Sequence, residues 1–358
     1  MPQRKRPRVV EMGVRLDPSD EYMHPLGEET NFNESMYANC FDPVNQVGAW
    51  FRIGNRANEG YAEMTVCLYL PGEDGHDQQV GFMFKRPTIT SNDAFDVAGL
   101  RWNVVEPFEA LTIDYVGKVV LLTDPLQMAN PKAGFSNNPY AECEAHITLA
   151  GQGRPSMFGG EPEAAHEKPG EEFAKGHYEQ LVEVTGSIRV GDREWQINGF
   201  GLRDHSWGPR SWQAPWYYRW LKANFGKDLG FMASRIAHKD GPGTRGGFVW
   251  ENGTMHLCDH VEVSTEFVGD DSYHSRISGV LRSSRSGRQW RFTGEVMDLI
   301  PLRNRKQDPE GNWLVTRISE GMTRWTLEGA VDRGVAVGYG LSEYLDQIIG
   351  DQPVGIAE

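Results

Sequence analysis

The chain has 358 residues, a length that points to about two domains. Hydrophobic residues make up 39% and charged residues 24%, which excludes a disordered chain and a membrane-spanning one. An excess of 50 Asp and Glu over 36 Lys and Arg gives a net charge of −14 and works against binding to nucleic-acid phosphates or anionic bilayers.

The basic run Arg4, Lys5, Arg6 and Arg8 reads as a solvated tail. No apolar stretch follows it and no segment reaches membrane-spanning length, so a cytoplasmic location is expected. Alternation then begins. Over residues 62–70 every even position is apolar and the odd positions are mixed, as in a strand with one face on a core. Similar runs occur at 47–53, 80–84, 111–122, 143–149, 180–190 and 194–202, with Gly191-Asp192 predicted as a hairpin turn. Residues 151–176, rich in Gly, Pro and Glu, read as a long loop or a lid over a barrel mouth.

The second half repeats the pattern at 216–221, 229–236, 248–250, 255–265, 275–281, 289–296, 323–328 and 335–344. Asn252-Gly253 is a strong hairpin signal, because both residues tolerate positive φ. The polar stretch 303–312 reads as an interruption, and 343–349 as a helical turn. The expected fold is all-β, two antiparallel barrels of roughly eight strands each, a number able to close around one ligand. The domains are placed at 1–208 and 209–358. Cys40, Cys67, Cys143 and Cys258 form no C-x-x-C pair and read as reduced core or sheet residues.

Residues 199–210, at the junction, are unlike the rest. They gather Arg203, Asp204, His205, Trp207 and Arg210 between glycines. Trp195 and Ile197 mark the odd face of the incoming strand as the core face, which sends Arg203, His205 and Trp207 inward and Asp204 outward. A bulge at Gly199 or Gly201 would exchange the two faces.

The string Asp204-His205-Ser206-Trp207-Gly208 resembles the D-H-x-W-G segment of carotenoid 1,2-hydratases and their AttH-like, lipocalin-like relatives. Residues Trp216-Tyr217-Tyr218-Arg219-Trp220-Leu221 resemble the aromatic strand that opens the second domain of those proteins, and Glu34-Ser35-Met36-Tyr37 is similar to the entry of the first. Glu320-Gly321-Met322 and Gly340-Leu341-Ser342-Glu343-Tyr344 look like the end of the branch with R-D-H-S-W-G-P-R motifs. The resemblance implies two tandem lipocalin-like barrels around an apolar cavity, with His205 and Trp207 in it. The family includes enzymes that hydrate isolated alkenes in terpenoids and fungal proteins that catalyse Diels–Alder and related cyclisations. Hydratases carry a Tyr-x-Asp proton donor soon after the motif, where this chain has Phe231-Met232-Ala233-Ser234.

The expected activity is cofactor-independent acid–base chemistry, as a lyase, isomerase or cyclase, on a hydrophobic, partly oxygenated small molecule such as a terpenoid, steroid or polyketide. His205 is the expected acid/base, oriented by Asp204 or Glu34, and Arg203 or Arg210 polarises a substrate oxygen. Trp207, Tyr37, Tyr218 and Trp220 are expected to contact the substrate, and no metal is expected. The competing readings are a binding protein without catalysis and a junction in which the same polar residues only satisfy one another. The expected partner is a hydrophobic ligand, with neither nucleic acid nor membrane insertion; a homodimer is compatible with the sequence. His256, Cys258 and His260 are ligand types that zinc accepts, but Met255, Leu257, Val261 and Val263 mark the opposite face as the core side and leave them on an outer face. Glu320 and Glu343 suit a paired-carboxylate site, yet they lie far apart in sequence and each also reads as an ordinary sheet-edge charge.

Overall fold

A computed structural model describes residues 16–72, 78–151, 157–159, 176–241, 243–332 and 334–357. The basic N-terminal run and most of the stretch expected to form a lid lie outside these residues.

The first half forms β1 (Phe32–Asp42), β2 (Val47–Arg56), β3 (Tyr61–Pro71), β4 (Gln78–Lys85), β5 (Asp96–Val97), β6 (Leu100–Glu106), β7 (Ala110–Leu122), β8 (Tyr140–Ala150), β9 (Met157–Gly159), β10 (Gly176–Val190) and β11 (Arg193–Pro209). Antiparallel ladders run β4-β3-β2-β1-β11-β10-β8-β7, and β7 pairs again with β4, so eight strands close into a barrel. The second half forms β12 (Tyr217–Asn224), β13 (Leu229–Ala237), β14 (Thr244–Glu251), β15 (Thr254–Cys258), β16 (His260–Val268), β17 (Tyr273–Ser283), β18 (Arg288–Gln307), β19 (Trp313–Glu328), β20 (Val335–Ile349) and β21 (Gln352–Pro353). Their order is β15-β14-β13-β12-β20-β19-β18-β17-β16, a curled sheet of nine strands with β15 and β16 at its ends. The protein is all-β, built as two tandem lipocalin-like barrels.

The even residues of β3 point into the first barrel, as their alternation predicts: Met64, Val66 and Leu68 join Met36, Ala38 and Phe51 in one buried cluster. Leu221, Phe231, Ile277, Phe292 and Trp325 fill the second barrel. Outward-facing side chains are buried as well, because the two barrels pack face to face. Tyr37, Trp50 and Tyr69 meet Ile300, Met322 and Leu341 on one side of this interface, and Leu181 and Leu202 meet Met232, Phe248 and Trp250 on the other. Double burial explains why all of β1 is inaccessible.

Both hairpin turns form where expected, with positive φ at Gly191, Asn252 and Gly253. Three readings are corrected. Residues 303–307 continue β18 and pair with β19, as a two-stranded ribbon that is largely exposed on both faces. Residues 343–349 are strand; Leu345 faces the interface and Tyr344 the barrel core, and this two-sided burial imitates helical spacing. Cys258 lies in the second core, because the break at Asp259 between β15 and β16 resets the alternation. All four cysteines are buried and free.

His274 is buried on β17, stacked on Tyr344 at 3.9 Å and bonded to Ser342. Burial, then the Arg219 charge, push its pKa from 6.5 down to about 3. The unfolded chain therefore takes up a proton between about pH 6.5 and pH 3 that the folded chain refuses, and stability falls with acidification across that window. At about pH 5 the loss from this group is about 2 kcal/mol relative to neutrality. Urea unfolding at both pH values should show a smaller acid loss in His274→Gln than in the unaltered chain; equal losses would contradict this assignment.

Candidate active site

A cavity of about 450 Å³ lies between the barrels, not inside either one. Strand register explains its lining. On the first barrel Glu179, Asp204, Tyr37, Arg52, Thr65 and Phe84 are successive cross-strand partners from β10 to β4, a single transverse row that faces the cavity. On the second, Ser234, Trp220, Glu343 and Glu320 form the facing row from β13 to β19. Tyr218 and Ile318 belong to the neighbouring row, and the linker adds Arg210 and Trp212.

Glu320 and Glu343, distant in sequence, are direct partners across β19 and β20. Glu343 accepts a hydrogen bond from the Tyr218 hydroxyl and lies 3.4 Å from the Lys222 ammonium. Lys222 is wholly buried, 3.2 Å from the centre of the Trp220 ring and 3.4 Å from the Tyr37 hydroxyl. Burial, followed by the negative charge of Glu343 beside it, holds the Glu320 carboxyl well above the usual range. Two carboxyls side by side in a buried site do not both ionise readily, so the pair favours a state in which one of them is neutral. Glu320 Oε2 is buried with no hydrogen-bond partner among the described residues. Such atoms are rare in folded proteins. The pair is thus chemically able to donate a proton, and it is set among the rings of Trp220, Trp50 and Tyr37.

The opposite wall is ionic. Arg52 Nη1 donates to Glu63 at 3.0 Å. Arg210 donates to Ser206 Oγ, and burial followed by the charge of Arg52 lowers its pKa to about 10. His177 pairs with Asp204 and lies 3.3 Å from Glu179. Although burial opposes its charge, Asp204 and then Glu179 raise His177 to about 10. The ring keeps 37% of its side-chain surface exposed, so solvent screens much of that interaction.

Of the residues singled out from sequence, Asp204, Arg210, Tyr37, Tyr218 and Trp220 line this cavity; His205, Glu34, Arg203 and Trp207 do not. No register shift interrupts β11 against β1 or β10, so its alternation holds, and its odd residues enter the first barrel instead. There the N-terminal segment crosses the barrel end. Arg203 grips both Glu21 oxygens and donates to Gln180 at 2.8 Å. His205 Nε2 and His24 Nδ1 share Glu34 Oε1 at 2.7 and 2.8 Å, Tyr178 closes the cluster, and His24 stacks on Trp207 at 3.8 Å. His205, Glu34 and Arg203 are completely buried. Two groups, His24–Glu34–His205 and His177–Glu179–Asp204, hold metal-type ligand atoms within 4.8 Å of one another; in each, imidazole and carboxylate already pair. Sequence reasoning passed over Arg52, Glu63 and His177, whose only signal is their strand parity.

Several solved structures share this fold. Kievitone hydratase from Nectria haematococca is 12% identical, with a TM-score of 0.54 over 87% of this chain and 88% of that one. CghA with Sch210972 is 11% identical, with a TM-score of 0.52 over 90% and 94%. A protein assigned as AttH from Nitrosomonas europaea is 13% identical, with a TM-score of 0.51 over 94% and 98%. No functionally curated protein matches by sequence. A family model does, over residues 17–348, and the chain accordingly belongs to the family described as "Domain of unknown function (DUF7064)".

Proposed function

We propose that this protein is a cofactor-independent hydro-lyase or isomerase that transfers a proton to a hydrophobic, partly oxygenated small molecule, such as a terpenoid or polyketide, held between the barrels. The observation that carries the reading is the buried cross-strand pair of Glu320 and Glu343 on the wall of an aromatic-lined cavity, where burial and the neighbouring charge push the Glu320 carboxyl toward its acid form. Glu320 gives its proton to a carbon of an alkene or enol, and the π pair forms the new C–H bond. Aromatic faces of Trp50 and Phe82 stabilise the positive charge that develops. Water then adds, or a neighbouring C–H gives up its proton; in either case one proton returns to the carboxyl pair. The shared fold with a kievitone hydratase supports this reaction class. The His205, Glu34 and Arg203 cluster is assigned the closing of the first barrel, away from the reacting atoms.

The reading predicts a pH profile. Because Glu320 is held well above the ordinary carboxyl range, kcat/KM should be highest on the acid side of its raised pKa and fall on the alkaline side. A rate that rises continuously from pH 5 to 9 would contradict an acid role. To obtain a substrate, the freshly purified protein is analysed by native mass spectrometry, any retained molecule is extracted, and that molecule is incubated with the protein in D₂O. Deuterium uptake or a new product supports catalysis; unchanged recovery identifies a carrier.

A further inference from the structure

The ionic wall of the cavity has a feature that proton transfer does not use. Arg52 and Arg210 both approach the Trp212 ring, at 5.3 and 5.4 Å from its centre, so two guanidinium groups converge on one indole that itself lines the cavity. Arg52 Nη2 is buried and has no hydrogen-bond partner among the described residues. Arg56 stands behind them, bonded to Glu59 and to the Arg210 carbonyl. Around them Arg52 pairs with Glu63, Arg56 with Glu59 and His177 with Asp204, and Arg303 also lines the cavity. The orphaned donor at this end of the cavity is a guanidinium N–H, the group best suited to a carboxylate or similar anion. Trp220 Nε1 is a further buried donor without a partner among the described residues, and Glu179 Oε2 a buried acceptor without one.

We propose that the molecule bound between the barrels carries an acidic oxygen, a carboxylate or the enolate of an acidic carbonyl, that docks between Arg52 and Arg210 against Trp212. The apolar remainder of the ligand then extends along Trp50 and Phe82 toward Glu320. Binding energy is spent on orientation: fixing the anionic end sets which carbon meets the proton donor. This inference rests on the cavity being the site of the proposed function, and it specifies the substrate class.

The test compares decanoate with decan-1-ol, probes of equal chain length that differ in the anionic end, by isothermal titration against the full chain. Decanoate should bind at least about tenfold more tightly than the alcohol. The preference should fall to about threefold or less in Arg210→Gln and in the double variant Arg52→Gln/Glu63→Gln, which removes an ion pair together so that no buried charge is stranded, and it should persist in Arg52→Lys. Equal affinity of the two probes for the unaltered chain, or a preference that survives in both charge-removing variants, would overturn the proposal. The two readings fail separately. Loss of anion preference with Glu320→Gln still inactive removes only the docking proposal, and an active Glu320→Gln that keeps the preference removes only the acid.

Discussion

Glu320→Gln is expected to lower turnover of the native substrate by about 10²- to 10⁴-fold, the range that a positioned general acid contributes. Gln preserves the shape and polarity of the side chain but has no ionisable proton. The substitution also removes the need to hold two carboxyls side by side, so Glu343 keeps Tyr218 and Lys222 as partners and the fold is retained. Ligand affinity should change little, because the lost interaction develops only in the transition state, and kcat should fall with KM nearly constant. A carrier protein would show no such separation. Tyr218→Phe is the companion variant: it takes one donor from Glu343 and leaves Glu320 in place, so its loss should be smaller than that of Glu320→Gln.

The largest effect on stability is expected elsewhere. Arg203→Met leaves Glu21 as a completely buried carboxyl whose remaining partners, the Tyr178 hydroxyl and the Phe108 amide, cannot replace a bidentate guanidinium. Breaking a buried pair by removing one partner costs about 3–5 kcal/mol, whereas an exposed pair such as Arg101–Asp96 is worth about 1 kcal/mol or less. Urea unfolding should show that loss in Arg203→Met and a much smaller one in the double variant Arg203→Met/Glu21→Leu, which removes both charges. The folded fraction of either should keep proton-transfer activity, since neither residue touches the cavity. A single variant as stable as the unaltered chain would mean that the N-terminal segment does not close the barrel.

Alternation carried much of the fold. The even face of β3 and the odd face of β11 are where the sequence places them, because one side of each strand meets a barrel core and the alternation runs unbroken. It failed where that condition fails: at Cys258, beside a strand break, and at 343–349, where β20 is covered on both faces. The site was legible only in part. Asp204, Arg210, Tyr218 and Trp220 could be picked out as chemistry-bearing residues near the junction, and Tyr37 through the family resemblance, but alternation says which residues share a face and not what packs against it. The sequence therefore points to the inward face and His205, whereas the outward face of β11 is the one covered by a second barrel. Glu320 and Glu343 show the same limit in another form. Each lies in a plain alternating run, and only the register of β19 on β20 brings the two glutamates together as a buried pair in which the Glu320 carboxyl is pushed up.

The most direct test of the account is a side-by-side incubation in D₂O of the molecule retained by the purified protein, with the unaltered chain, Glu320→Gln and His205→Gln at equal concentrations of folded protein. Mass spectrometry of the recovered molecule should show deuterium uptake or conversion with the unaltered chain and with His205→Gln, and neither with Glu320→Gln. Exchange that persists in Glu320→Gln and is lost in His205→Gln would contradict the account and move the chemistry from the cavity between the barrels into the end of the first.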